Sequence, residues 1–367
     1  MGDQKVSIFK PYLKVEVAYR GGKTKDELAQ SGKKLHKLSS NENLLGSSPK
    51  AIQAIKAYIN KLHEYPDRND ARLQTALEKF YDGELKAGQF ITGPSGSEVL
   101  ELIIRGFLEE GLEIVISNPA FLVYQMFSQK QGAKVVDVPL LAPDFSLDVD
   151  GMLNAINENT RLVFLTSPNN PTGTYIPKAD LDRLINHVPD HVIVVLDEVY
   201  FHYATAEDYS TALPYVKAGK QVIGINSFSK AYGLAGLRVG YAYTTPEIAK
   251  YVQQLYKPFM INILSMEGAL AALEDKEFLA KTVQLVNTEK EFIYKALDEI
   301  GIHYWKSQGN FILLRPEMDE YEFENKMQQE GVMVRPVSNF GAPGCVRVTV
   351  GTREANEAYL GALRKIV

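Results

Sequence analysis

The chain has few of the features that would staple it, anchor it or give it a strong charge. One cysteine, Cys345, stands among 367 residues, so no internal disulfide can form and a reducing cytoplasm is the expected compartment. Long apolar runs are missing too. The longest clean one near the middle, Val192 to Leu196, falls far short of the ~20 residues that span a bilayer. The amino end, Met1-Gly2-Asp3-Gln4-Lys5, carries an early acid and then only a short apolar stretch, Val6 to Phe9, so no secretory signal is expected. Charge of one sign is scarce as well. Forty basic against forty-five acidic residues leave a formal charge of −5, which argues against a general affinity for nucleic acid or anionic membrane but leaves room for a local basic pocket. Of the six histidines only His187 and His191 approach metal-ligand spacing, and Pro189 between them spoils the helical geometry, so no metal is expected.

What is present is an ordinary globular mix, 45% hydrophobic and 23% charged, without solenoid repeats or low-complexity tracts. The length suggests two domains. Helical patterns open at Pro49, run from Ala71 to Tyr81 with Leu73, Leu77 and Phe80 at helical spacing, and recur from Val99 to Glu110. Between and after them lie short apolar runs at Glu113–Ser117, Lys134–Val138, Leu162–Leu165, Val192–Leu196 and Gln221–Ile225. Runs that are hydrophobic on both faces and separated by crossover lengths read as a mostly parallel sheet covered by helices, an α/β fold. After Tyr243 the pattern changes to long helical segments, Pro246–Tyr256 and Ser265–Ile300, and then to strands near Gly309–Leu314, Val332–Val334 and Cys345–Val350. The expected organisation is an N-terminal arm over 1–45 joining a smaller α+β C-terminal domain over 251–367, with a large domain over 46–250.

Ligands of open α/β sheets bind beyond the carboxyl ends of the strands. Leu162–Leu165 leads into Ser167-Pro168-Asn169-Asn170-Pro171-Thr172-Gly173. Val192–Leu196 leads into Asp197-Glu198-Val199-Tyr200. Gln221–Ile225 leads into Asn226-Ser227-Phe228-Ser229-Lys230, and then Arg238. Singly, these are a turn, a helix cap, a core tyrosine, a solvated lysine and a paired arginine. Together, each behind an apolar strand, they gather an amide, a carboxylate, a phenol, an amine and a guanidinium on one sheet edge. The loop Thr92-Gly93-Pro94-Ser95-Gly96-Ser97-Glu98 opens a helix and can offer free N–H groups to an anion. It is neither a P-loop nor a dinucleotide fingerprint.

These residues resemble those of the fold-type I aminotransferases that depend on pyridoxal 5′-phosphate (PLP), and within them the histidinol-phosphate aminotransferases. The resemblance runs from Lys10-Pro11-Tyr12 and Ser40-Asn41-Glu42-Asn43, through Glu64-Tyr65-Pro66-Asp67, to Val346-Arg347-Val348-Thr349-Val350-Gly351-Thr352. It implies that Lys230 holds PLP as a Schiff base and moves protons, that Asp197 keeps the pyridine nitrogen protonated, and that Asn170 and Tyr200 bond the phenolic oxygen. It gives the phosphate to Arg238, Ser227, Ser229 and the backbone of Gly96, Ser97 and Glu98, with Tyr65 reaching it across a twofold dimer. Phe121 takes the ring-stacking position that is tyrosine in many relatives, and Ser97 stands where many carry aspartate.

For the substrate the resemblance points to Tyr12, Asn170, Arg335 and Arg347. Histidinol phosphate carries a phosphate and no α-carboxylate, whereas glutamate and 2-oxoglutarate are dicarboxylates, so one pocket must take either anion. Two converging arginines suit a dianionic phosphate and favour histidinol-phosphate:2-oxoglutarate transamination by a ping-pong mechanism. An aromatic amino-acid aminotransferase for phenylalanine or tyrosine is the alternative, and a threonine-phosphate decarboxylase a more distant one. A non-catalytic PLP-binding regulator would need a DNA-binding appendage, and it is not expected here because the roughly forty residues before the matched core resemble the enzyme's arm. Cys345 is expected to be packing.

Overall fold

The computed structural model describes residues 10–14 and 35–367. Its strands are β1 (His36–Lys37), β2 (Phe90–Gly93), β3 (Glu113–Asn118), β4 (Lys134–Pro139), β5 (Thr160–Thr166), β6 (Ile193–Asp197), β7 (Val222–Ser227), β8 (Gly240–Tyr243), β9 (His303–Trp305), β10 (Phe311–Arg315), β11 (Val332–Met333), β12 (Arg335–Pro336) and β13 (Val346–Thr349). A seven-stranded sheet has the order β2-β8-β7-β6-β5-β3-β4. β8 runs antiparallel to both its neighbours, and the other pairings are parallel.

Alternation along the central strands explains why their runs are apolar throughout. Val194 and Leu196 of β6, like Val163 and Leu165 of β5, enter one core cluster. Ile193, Val195, Leu162 and Phe164 enter the cluster on the other face. Both faces are thus buried, as a parallel sheet requires. The helix Gly96–Phe107 covers one face with Val99, Leu100, Leu102, Ile103 and Ile104. It begins three residues before the expected Val99, because Ser95 caps it by accepting the Glu98 N–H at 3.1 Å.

The apolar stretch Ser265–Ile300 is two helices, Ile263–Leu273 and Lys276–Ile300. Asp275 divides them. Its carboxylate caps the second helix at Phe278 and accepts from Ser48 Oγ at 2.6 Å, while Ser48 caps the helix Pro49–Tyr58. One buried pair therefore terminates two helices. Met266, Ala269 and Ala272 pack into the core of the seven-stranded sheet. Val286, Ile293 and Leu297 pack under a four-stranded antiparallel sheet of order β12-β13-β10-β9. The core changes over within the long helix, where Leu279 touches both clusters. The strand expected at Val332–Val334 is the two-residue β11, and a separate strand, β12, follows it. β11 pairs in parallel with β1, tying residues 36–37 to this region, and β12 pairs with β13. No helix among the described residues is long and apolar enough to cross a membrane.

Candidate active site

A cavity of about 250 Å³ lies at the carboxyl edge of the seven-stranded sheet. Asp197, the last residue of β6, and Lys230, three residues past β7, line its floor. Asp197 is held at two oxygens. Tyr124 Oη donates to Oδ2 at 2.6 Å and the Val199 N–H to Oδ1 at 3.2 Å. Tyr124 itself stacks on Phe164 of β5, with centroids 5.1 Å apart, and its hydroxyl lies 2.9 Å from Thr166 Oγ1. Burial pushes the Asp197 pKa up, against the lowering by these two donors and by the charge of Lys230. The neighbouring Glu198 is buried away from the cavity. It accepts from Asn226 Nδ2 and from the Ala212 N–H, each at 2.9 Å.

Lys230 Nζ donates to Ser40 O at 3.3 Å and lies 5.7 Å from the centre of the Tyr200 ring. Burial, with the like charges of Arg347 and Arg238 nearby, lowers its pKa to about 8, only partly opposed by Glu42 and Asp197. An amine so poised sheds its proton far more readily than an ordinary lysine, as a nucleophile or general base requires. Tyr200 Oη accepts from Asn41 Nδ2 at 3.1 Å.

Beside the floor lies an anion cradle. Gly96 and Ser97 form the first turn of their helix, where N–H groups have no intrahelical acceptor and the dipole is positive. Ser227 Oγ donates to Ser229 Oγ at 2.9 Å and accepts the Ser229 N–H at 3.1 Å. Arg238, at the exposed side, has left-handed backbone with φ 55°, a conformation unusual for arginine. The cradle closes because Gly240 has no side chain: a Cβ there would stand 2.2 Å from the Gly96 nitrogen.

The mouth comes from the four-stranded sheet. Arg335 of β12 and Arg347 of β13 are register partners, so both side chains project from one face. Both line the cavity, and their guanidinium carbons lie 5.7 and 5.8 Å from the centre of the Phe340 ring. Arg347 is buried. It donates from Nη1 to Asn170 Oδ1 at 2.5 Å and from Nη2 to Ser39 O at 2.8 Å.

The structure thus brings together Gly96, Ser97, Phe121, Asn170, Asp197, Tyr200, Ser227, Ser229, Lys230, Arg238, Arg335 and Arg347 around one cavity. Three expected residues stand apart. Glu98 does not line it, and the Glu98 N–H is taken by the Ser95 cap and cannot meet an anion. Tyr12 lies against the far end of the same helix: a Cβ on Gly132 would meet its ring at 3.1 Å and Glu110 Cα at 3.2 Å. A helix from Gly96 to Phe107 is roughly 18 Å long, which separates Tyr12 from the cavity of its own chain. Tyr65 is also outside it, 82% exposed and stacked on Phe259 at 4.8 Å. The sequence alone assigns no role to Tyr124, Asn41 or the Ser39 and Ser40 carbonyls. Tyr124 was findable, since it follows Phe121 by one helical turn.

The fold and site define a class. The cavity at the strand ends of this mixed sheet, with the small antiparallel sheet over it, is the fold-type I aminotransferase arrangement. The histidinol-phosphate aminotransferase of Sinorhizobium meliloti, solved in complex with pyridoxal-5′-phosphate, has the same fold. It superposes with a TM-score of 0.85 at 23% identity, covering 99% of this chain and 100% of that one. The model of the aminotransferase class I and II family matches residues 33–363. A histidinol-phosphate aminotransferase 2 of Pseudomonas fluorescens is 40% identical over 353 residues, 95% of this chain and 94% of the relative. A histidinol-phosphate aminotransferase of Moorella thermoacetica is 40% identical over 332 residues, 90% of this chain and 85% of the relative. The chain belongs to the class I and II aminotransferases, and within them to the histidinol-phosphate aminotransferase family.

Proposed function

We propose that the protein transfers the amino group of histidinol phosphate to 2-oxoglutarate, with PLP held at the carboxyl edge of the seven-stranded sheet. The observation that carries this reading is the register pairing of Arg335 with Arg347 at the mouth of a cavity whose floor holds Lys230 and Asp197. The donor set fits the cofactor. One wall carries an anion cradle, and an amine with lowered pKa and a buried carboxylate share the floor.

Bound there, PLP supplies an aldehyde carbon that captures amines and a pyridine ring that withdraws electrons. Asp197, oriented by Tyr124 and the Val199 N–H, would hold a proton at the ring nitrogen. Asn170 and Tyr200 would donate toward the phenolic oxygen, Phe121 would pack against the ring, and Arg238, Ser227, Ser229 and the N–H groups of Gly96 and Ser97 would hold the phosphate. Lys230 Nζ, as the free base, takes the Cα proton of the amino donor and later returns a proton to the α-carbon derived from 2-oxoglutarate. Arg335 and Arg347 bind the donor's phosphate and then the distal carboxylate of the acceptor. Tyr65, exposed beside Phe259 and near the exposed Ile59 and Leu62, fits a twofold dimer in which it completes the phosphate site of the other copy.

Single-turnover mixing of PLP-loaded protein with L-histidinol phosphate, L-phenylalanine, L-tyrosine or L-threonine phosphate tests this. The visible cofactor absorbance should bleach fastest with histidinol phosphate. Faster bleaching by the aromatic amino acids would make the protein an aromatic aminotransferase, and release of carbon dioxide from threonine phosphate a decarboxylase.

A further inference from the structure

Two carboxylates line the cavity, and only one has been given a role. Asp197 sits on the floor between its two donors. The other, Glu42, enters at the mouth from the segment Ser39–Asn43, which is pinned on every side. Arg347 bonds Ser39 O at 2.8 Å, Lys230 bonds Ser40 O at 3.3 Å, and the Asn41 N–H donates to Thr349 Oγ1 at 2.9 Å. Asn43 Nδ2 donates to Ala231 O at 3.1 Å. The backbone that carries Glu42 is therefore fixed relative to the amine that does the chemistry. Its side chain is 42% exposed, and Oε1 accepts from Lys37 Nζ at 2.8 Å. Among the described residues that is its one ion pair, which leaves lone pairs for a ligand.

Apart from Asp197 on the floor, the other charges lining the cavity, Lys230, Arg238, Arg335 and Arg347, are all positive. An acid beside them repels a phosphate or a dicarboxylate, so neither anionic substrate group accounts for it. What it can receive is an N–H. We infer that Glu42 is a specificity-determining residue that accepts the ring N–H of a nitrogen-heterocyclic amino donor, with Lys37 orienting the carboxylate; this rests on the histidinol-phosphate reading above. An imidazole offers such a donor. A phenyl ring offers none, and threonine phosphate has no ring. A site built to bond an N–H discriminates strongly against analogues without it.

The test compares kcat/KM for L-histidinol phosphate and L-phenylalanine in the PLP-loaded wild type and in Glu42→Ala, Glu42→Gln and Lys37→Ala. The ratio of the two should fall about tenfold or more in Glu42→Ala, chiefly through the KM of histidinol phosphate. Glu42→Gln, which keeps an acceptor without the charge, should recover part of it, and Lys37→Ala should stay within about threefold of wild type. Equal losses for both donors in Glu42→Ala would make Glu42 a counter-ion of Lys230 and overturn the inference. A fall in Lys37→Ala as large as in Glu42→Ala would assign the effect to the ion pair and overturn it too. A wild type that does not turn over histidinol phosphate at all would instead overturn the underlying reading.

Discussion

The floor and the mouth of the cavity are built on different principles. The floor is made by topology: Asp197, Lys230 and Ser227 each end or follow a parallel strand, and the sheet order sets them side by side. The mouth is made by contacts between distant parts of the chain. Arg347 joins Asn170, 177 positions away, to Ser39, 308 positions away, and Arg335 reaches it through β12. The floor determines what reaction can occur, and the mouth which substrate reaches it. Substitutions in the two regions should therefore fail in different ways.

The largest effect belongs to the floor. Lys230→Ala should lower multiple turnover with every donor by roughly 10³-fold or more, since it removes both the amine and the proton carrier. Circular dichroism and gel filtration should show an unchanged fold, and retained turnover would refute the role of Lys230. Asp197→Ala should still take up PLP but lose roughly 10²-fold in kcat for all donors alike, because the ring nitrogen loses its fixed counter-charge. An unequal loss among donors would blur the division between floor and mouth.

At the mouth the signature is a change in preference. Arg335→Ala should weaken histidinol phosphate roughly tenfold more than phenylalanine, measured as the ratio of kcat/KM. Equal losses would remove Arg335 from the discriminating role. Arg347→Ala should weaken donors and 2-oxoglutarate alike, by roughly 10- to 100-fold, because that residue also holds Asn170 and Ser39 in place.

The same division governs what could be read from the sequence. The floor was legible because each motif follows its own apolar strand, so a local pattern carried the geometry. Asn170 was legible as part of its turn, but its bond to Arg347 was not, since nothing local links positions 170 and 347. The break at Asp275 was hidden for a related reason. The apolar spacing of 265–300 suits one helix, and only the tertiary partner Ser48 shows why it stops. Glu98 was misplaced because the sequence does not tell which first-turn N–H its own cap consumes. Tyr12 lies away from the cavity of its own chain because residues 10–14 pack against Gly132, a placement that no local periodicity encodes.

The smallest expected effect isolates the floor from catalysis altogether. Lys230 has its folded pKa lowered from about 10.5 to about 8 by burial and by Arg347, so between those values the unfolded chain binds the proton that the folded apoprotein has shed. Where the unfolded state holds more protons, stability rises with pH. Burying the ammonium thus costs stability below about pH 8, and the cost is relieved as pH climbs toward 10.5. Lys230→Met removes that term and keeps much of the packing. The apo variant should be more stable than the apo parent at pH 7, and the difference should shrink steadily between pH 8 and 10, read as paired urea midpoints with m unchanged. A difference that stays flat over that range would mean the amine is not strained by its surroundings, and that the floor binds Lys230 as an ordinary surface charge.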